Sequence, residues 1–336
     1  MPTKSPHTST PAHAVRPPLP AHTLSRDNIW PALPLDDWKD TYATLHLWTQ
    51  IVGKIRFAQT PWQNHSWHVT LYVSTCGLTT GPIPFGDRTL AIEFDFLEHV
   101  LWLRASTGHF RQVMLMPQTT ARFYAELMER LSELGFAVSI DERPNEIPDG
   151  IKFSEDKIHA AYDARAATKL FRILTQANRL FTTFRSGFLG KASPVHFFWG
   201  SFDLAVTRFS GRTAPRHPGG VPALPDAVAC EAYSHEECSA GFWPGSGPVT
   251  EPAFYSYAYP APEGFAAAKV KPDAAYWSKE LGEFILPYDA VRKADDPDAM
   301  LLDFLQSTYD AAADLGKWDR KTLECAIGRP GVVRKI

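Results

Sequence analysis

The chain has 336 residues, which is enough for one large domain or two domains of ordinary size. Hydrophobic residues make up 44% of it and charged residues 21%, as is typical of a globular protein. The net charge of -3 comes without a basic stripe or an acidic block, so we expect neither a nucleic-acid partner nor a charged tail partner. No apolar stretch approaches the ~20 residues of a membrane-spanning helix, and we expect no membrane partner.

The first 26 residues are rich in Pro, His, Thr and Ser and lack the apolar core of a signal peptide. Residues 1–26 therefore predict a disordered N-terminal extension. The four cysteines have no paired spacing, and no C-x-x-C motif occurs. This usage favours reduced thiols and a cytoplasmic protein.

Residues 27–143 predict a first module of helices and antiparallel strands. Trp38, Leu45 and Val52 recur at helical spacing, whereas Leu90 and Ile92 alternate as in a strand with one buried face. The predicted helices cover residues 38–57 and 123–134, and the predicted strands cover residues 67–74, 89–96, 100–104, 110–116 and 136–140.

Residues 144–162 predict a linker, because Pro and Gly recur near its start. A second module with loop insertions is predicted over residues 163–325, followed by a frayed tail at residues 326–336. Its predicted helices cover residues 166–188 and 299–315, and its predicted strands cover residues 195–209, 230–243, 254–259 and 284–286.

The two modules share the order helix, strands, helix, and this order predicts an internal duplication. Antiparallel strands flanked by helices favour an α+β fold, here with two related modules arranged with pseudo-two-fold symmetry. Coincidence is the alternative, since the order is common. If the duplication is real, we expect the functional site in the cleft between the two copies.

The stretch from His196 to Asp203 combines a histidine and a carboxylate with four aromatic residues. Aromatic side chains supply a desolvated lining, while a histidine and a carboxylate supply a proton carrier and its orienting partner. We therefore predict His196 or His235 as general acid–base and Asp203 or Glu236 as the orienting carboxylate. The alternative is a core strand whose polar residues lie at its ends.

His65 and His68 lie three residues apart and are candidate ligands for a divalent metal. They would need further ligands from elsewhere in the chain, and the alternative is that they cap loops. The sequence contains no P-loop, no G-x-S-x-G, no H-E-x-x-H, no EF-hand pattern and no dinucleotide-binding turn. The cofactor is therefore left open, without a nucleotide motif.

Arg208 and Arg212 flank a Ser-Gly turn and are candidates to bind an anionic group, although two solvated arginines at a strand end are the alternative. Trp48, Trp199 and Trp243 are candidate contacts for a small-molecule ligand. The oligomeric state is left open.

The longest motifs resemble the bacterial proteins grouped as domain of unknown function 5996. The resemblance covers residues 27–323 and is carried by residues 30–34, 38–46, 49–54, 193–212 and 239–245. It implies a bacterial origin and brings no catalytic residue with it.

Together these patterns favour a small-molecule enzyme with a His/carboxylate site in an aromatic-lined cleft, with metal assistance as a variant. A non-catalytic binding module is the first alternative, and a structural or interaction protein is the second. Convergent polar groups in one cleft favour the enzyme, a dry aromatic pocket favours the binder, and scattered satisfied polar groups favour the structural protein.

Overall fold

The computed structural model describes residues 25–246, 249–329 and 331–334. Most of the predicted N-terminal extension (residues 1–24) and residues 330, 335 and 336 of the predicted tail lie outside the described residues. The described helices are α1 Arg26–Ile29, α2 Lys39–Gln59, α3 Thr120–Glu133, α4 Ala164–Ser186, α5 Asp226–Ala232, α6 Tyr288–Lys293, α7 Pro297–Leu315 and α8 Arg320–Leu323. The strands are β1 Tyr72–Val73, β2 Gly77–Thr79, β3 Ile83–Phe85, β4 Arg88–Asp95, β5 Val100–Ala105, β6 Phe110–Met114, β7 His196–Phe198, β8 Asp203–Thr213, β9 His235–Trp243, β10 Ala253–Tyr259, β11 Tyr276–Ser278 and β12 Glu283–Pro287.

The strands form two antiparallel sheets, which together with the helices confirm the predicted α+β class. The first sheet has the order β1-β2-β4-β5-β6, with β3 paired to β4, and the second has the order β11-β12-β10-β9-β8-β7. The sheets meet at their edges, where Leu71 pairs with Phe197 of β7. The N–H of Leu71 donates to the carbonyl of Phe197 at 2.9 Å, and the N–H of Phe197 donates back at 2.7 Å.

Long amphipathic helices cover one face of the second sheet. α4 begins where the Asp163 carboxylate accepts hydrogen bonds from two main-chain N–H groups of the first turn, and α7 begins with Pro297 after the capping Asp296. α4 packs on β8 and α7 packs on β9 and β10. Phe181 of α4 meets Phe254 of β10 with ring centroids 6.2 Å apart. The other face of this sheet is therefore free for different neighbours.

Residues 195–209 do not form the single predicted strand. They form the antiparallel hairpin β7–β8, in which His196 pairs with Ala205. The turn contains Phe202 at φ 57°, a left-handed conformation that ends the strand pattern. Trp199 and Phe202 of the turn are buried, so the apolar pattern continues through the turn and conceals it in the sequence.

Three other predicted strands also differ from the structure. Residues 67–74 contribute only the short strand β1. His65 and Ser66 adopt left-handed backbone conformations, and the chain after them is irregular until Tyr72. Residues 136–140 are in no strand of the described chain. Residues 230–243 contain the end of α5 before β9, and α5 begins directly after Pro225.

Candidate functional site

The free face of the second sheet forms the floor of a cavity of about 700 Å³. Side chains alternate between the two faces of a strand, and the residues of β7, β8, β9 and β10 that line this cavity follow that alternation. The other walls come from the end of α2, from residues 62–69 and 139–146, and from a cover that includes α5. The cavity therefore lies between the second sheet and segments of both halves of the chain. The sheet residues that line it are His196, Phe198, Asp203, Ala205, Thr207, Phe209, Glu237, Ser239, Trp243, Tyr255, Tyr257 and Glu283.

Three carboxyl groups lie on this floor, on β8, β9 and β12. Burial raises the pKa of Asp203 to about 7, that of Glu237 to about 8 and that of Glu283 to about 7. Repulsion between the carboxyls of Asp203 and Glu283 adds to the rise at Glu283. Near neutral pH each of these carboxyl groups therefore exists in both its protonated and its ionised form. A group that transfers protons needs both forms.

Asp203 is held by a tyrosine that crosses an intervening strand. The hydroxyl of Tyr255 on β10 donates a hydrogen bond to Oδ2 of Asp203 on β8, and Asp203 is only 7% exposed. Between them on β9 lies Gly241, which pairs with both Tyr255 and Ala205. A Cβ at Gly241 would lie 2.3 Å from the Tyr255 hydroxyl, so only glycine leaves room for this contact.

A second pair of tyrosines stands beside these carboxyls. Tyr233, just after α5, brings its hydroxyl to 3.3 Å from the hydroxyl of Tyr257 on β10. The His217 ring stacks on Tyr233 with centroids 4.6 Å apart. Burial raises the pKa of Tyr233 to about 12, so this hydroxyl stays protonated and can donate hydrogen bonds into the cavity.

His196 lines the cavity as a neutral ring. It is 0% exposed, and neither of its ring nitrogens has a hydrogen-bond partner within the described chain. Burial lowers the pKa of His196 to about 3, with a smaller contribution from Arg56. Asp203 does not orient it, because the Asp203 carboxylate bonds to Tyr255 instead. Buried nitrogens without a partner are uncommon in proteins, so both ring nitrogens of His196 remain available for a hydrogen bond.

His65 and His68 also line the cavity, but their nitrogens have different surroundings. His65 contacts the carbonyl of Ala232 through Nδ1 at 2.7 Å and the Lys191 ammonium through Nε2. His68 accepts from the N–H of Gln63 at 3.3 Å, and its Nε2 is buried without a partner in the described residues. No group of three or more His, Cys, Asp or Glu side chains within residues 25–246, 249–329 and 331–334 is placed to hold a metal ion.

Trp199 and Trp243 both line the cavity. The Trp199 indole N–H donates to the carbonyl of Val69 at 2.7 Å, which ties the β7–β8 turn to the first half of the chain. The ring lies against Gly53 of α2, where a Cβ would be 2.1 Å from it. Trp199 is therefore a fixed wall of the cavity.

Five predicted site residues lie outside the cavity lining. Trp48 stacks on Phe123 of α3 at 4.3 Å in the core. The Nδ1 of His235 lies 3.0 Å from the hydroxyl of Ser234. Arg212 and Glu236 bind each other through hydrogen bonds of 2.6 and 2.8 Å. Arg208 is buried on the face of the sheet that packs against the helices.

Sequence reasoning missed eight titratable residues of the cavity lining, although strand alternation carries a signal for some of them. Glu237 is six residues from Trp243 and shares its face, whereas Glu236 is seven residues away and faces the other side. Tyr233 and Glu146 reach the cavity from irregular segments and have no such signal. The eight residues are Lys54, Asp141, Glu146, Tyr233, Glu237, Tyr255, Tyr257 and Glu283.

The fold and the cavity define an α+β protein with an aromatic, carboxyl-rich chamber on one face of an antiparallel sheet. Residues 30–325 match the model of a family described as a family of unknown function (DUF5996), and the chain belongs to this family. A search of curated proteins found no match, and a search of solved structures found none either. Among the helices of the described chain, none combines the length and the apolar character that a membrane crossing requires.

Proposed function

We propose that the cavity is the site of an enzyme that acts on a small organic molecule by proton transfer. The observation that carries this proposal is the buried Asp203 carboxyl at the cavity floor, held by Tyr255 across Gly241. A carboxyl in such a place exchanges a proton near neutral pH, which is the requirement for a general acid or base.

The roles of the neighbouring residues follow from their protonation. His196 is neutral, so it serves as a hydrogen-bonding contact to the substrate rather than as the proton carrier. Tyr255 fixes the Asp203 carboxyl, and Tyr233 and Tyr257 offer hydroxyl groups beside it. Trp199 and Trp243 supply apolar walls that exclude water.

A non-catalytic binding module is the second candidate. It is favoured by the aromatic share of the cavity wall and by the absence of a hydrogen bond between His196 and any carboxylate of the described residues. Aromatic walls suit both a binding module and an enzyme. Measuring whether a bound compound is converted therefore distinguishes the two candidate functions.

The duplication would explain why the cavity lies where the two halves meet. Each half runs from a long helix through antiparallel strands to a closing helix, and the sheets touch through Leu71 and Phe197. We therefore propose that residues 27–143 and 163–325 are related modules with pseudo-two-fold symmetry. Superposition of the two halves in an experimental structure tests this, and mismatched strand order after superposition would contradict it.

The enzyme proposal is tested with a library of metabolites. Compounds that raise the melting temperature of the full chain are selected, and their conversion is followed by mass spectrometry. Asp203→Asn should still bind the selected compound while its conversion falls by about 10²- to 10⁴-fold, the usual contribution of a general acid or base. Asp303→Asn on the exposed side of α7 is the matched control.

Conversion that persists at the wild-type rate in Asp203→Asn would contradict the role of this residue. Tight binding without conversion by the wild-type protein would favour the binding module instead.

A further inference from the structure

We infer that the cavity floor selects an organic ammonium ion, which the carboxylates of Asp203, Glu237 and Glu283 hold against tyrosine rings. This inference rests on the proposed small-molecule site and specifies the class of molecule that it takes. It differs from the anionic ligand expected from the sequence, because the structure places the two candidate arginines elsewhere.

The balance of charge in the cavity wall supports a cationic ligand. Five carboxyl groups and one lysine side chain line the cavity among the described residues. The lysine is Lys54 of α2, and the carboxyl that acts on it is Asp141 rather than one on the sheet floor. The five carboxyl groups are Asp141, Glu146, Asp203, Glu237 and Glu283.

Within the described residues, no cation acts on the carboxyls of Asp203 or Glu283, whereas Glu237 has Lys191 nearby. The charged group that acts on Asp203 is Glu146, and the one that acts on Glu283 is Asp203. The Lys191 ammonium attracts the Glu237 carboxylate, but it also contacts Nε2 of His65. Buried carboxylates without a counter-ion are unfavourable, and a bound ammonium would supply the missing positive charge.

Aromatic rings surround the same carboxyls. Tyr255 and Tyr257 are stacked with centroids 6.2 Å apart, and Tyr233 lies 6.2 Å from Tyr257. Trp243 stands on the same face of β9 as Glu237. The faces of such rings attract cations, and combined with carboxylates they form the usual recognition element for organic ammonium groups.

The hydroxyl groups add hydrogen-bond acceptors for N–H donors. The Tyr233 and Tyr257 oxygens lie 3.3 Å apart and each retains accepting lone pairs. An anion in the same place would meet carboxylates on three strands, and it would find no arginine in the described cavity lining.

The inference is tested on the full chain with benzylamine and its neutral isostere benzyl alcohol. Both have the same aromatic ring, and only the amine carries a positive charge. Titration calorimetry at pH 8.5 should give a dissociation constant for benzylamine at least about tenfold below that of benzyl alcohol, as expected for one desolvated charge pair.

The preference should depend on pH. Below about pH 6 the floor carboxyls are protonated, so benzylamine should lose most of its advantage, whereas benzyl alcohol binding should change little. The titratable groups that line the cavity are Asp141, Glu146, Asp203, Glu237, Glu283, Lys54, His65, His68, His196, Tyr233, Tyr255 and Tyr257, and Lys191 also acts on Glu237.

A matched pair of variants localises the effect. Glu283→Gln should weaken benzylamine binding about tenfold and leave benzyl alcohol binding unchanged, while Glu280→Gln on the exposed turn should change neither. Circular dichroism melting of both variants checks that they are folded.

Three results would overturn the inference: no detectable binding of benzylamine, equal binding of the two compounds at pH 8.5, or a preference for benzoate. None of these results would bear on proton transfer by Asp203, because conversion of a neutral substrate that is lost in Asp203→Asn would still support the proposed enzyme. Conversely, amine selectivity without any conversion would leave the inference intact and contradict the enzyme.

Discussion

Gly241 lies beneath the ring of Tyr255, and the missing side chain there opens the path from β10 across β9 to β8. An ideal Cβ on Gly241 would lie 2.3 Å from both Cζ and the hydroxyl oxygen of Tyr255. That hydroxyl donates to Asp203, so a glycine on one strand permits a hydrogen bond between two others. The arrangement links backbone packing directly to the chemistry of the cavity floor.

We predict that Gly241→Ala displaces Tyr255 and breaks its bond to Asp203. The overpacking should lower the free energy of unfolding by about 1–3 kcal/mol. Urea unfolding of Gly241→Ala, Tyr255→Ala and the double variant measures the coupling, because removing the ring should relieve part of the alanine clash. Effects that add to within about 0.5 kcal/mol would show that the two positions do not interact.

We predict that Glu237 makes the protein less stable as the pH rises from 6.5 to 8. Its folded-state pKa of about 8 lies above the unfolded value, so the folded state holds the proton more tightly in this range. Stability is therefore lost as the pH rises toward the folded pKa, by up to about 1.4 kcal/mol per pH unit for one group. Glu237→Gln should show a shallower decline in urea unfolding between these pH values.

Glu236→Gln is the matched control for that measurement, since Glu236 is the preceding residue of β9 and pairs with Arg212 at the protein surface. A decline in stability that is equally steep in the wild-type protein and in Glu237→Gln would contradict the prediction.

The sequence was sufficient for the four long helices α2, α3, α4 and α7 because their signals are local. The apolar period of α4 and its capping Asp163 lie within one segment, and the structure starts this helix at Ala164. The turn at residues 199–202 was missed because its aromatic residues are buried by contacts from distant segments, such as Trp199 with Val69. A sequence pattern cannot distinguish a buried turn from a buried strand.

Part of the candidate site follows from strand alternation, and part does not. Asp203 was predicted, and alternation from it places Arg208, five residues later, on the opposite face of β8. Tyr255 reaches Asp203 because β9 lies between their strands with a glycine at the crossing point. Strand order in a sheet depends on long-range pairing, so this contact has no local signature.

We predict that His196 lowers stability in acid. Its folded pKa of about 3 lies below the unfolded value, so stability is lost as the pH falls below the ordinary histidine range. His196→Phe removes this group, and Phe198 and Trp67, whose rings lie 4.6 and 6.5 Å from it, offer aromatic neighbours for the new ring. The variant should therefore lose less free energy of unfolding than the wild type between pH 6.5 and 5.

The same variant tests the role of His196 in binding, because phenylalanine offers no nitrogen to a ligand. A compound selected by the wild-type protein should bind more weakly to His196→Phe and normally to His109→Phe, which alters an exposed histidine. Unchanged ligand affinity in His196→Phe would identify His196 as a core residue only.

We predict that Arg208 stabilises the fold and takes no part in binding a ligand. Arg208 is 2% exposed. Its guanidinium lies 3.5 Å from the ring centroid of Phe184 and 4.4 Å from that of Tyr309. It also donates a hydrogen bond to the Phe184 carbonyl near the end of α4. A cation at this helix terminus is favourable, and its removal leaves a hole among aromatic rings. Arg208→Ala should therefore lower the free energy of unfolding by about 2–4 kcal/mol, measured by urea unfolding, while ligand affinity per folded molecule stays constant. Arg216→Ala, which removes an exposed arginine, should change neither quantity. An unchanged free energy of unfolding together with a lost ligand affinity in Arg208→Ala would contradict the prediction, and it would identify Arg208 as a ligand-binding residue.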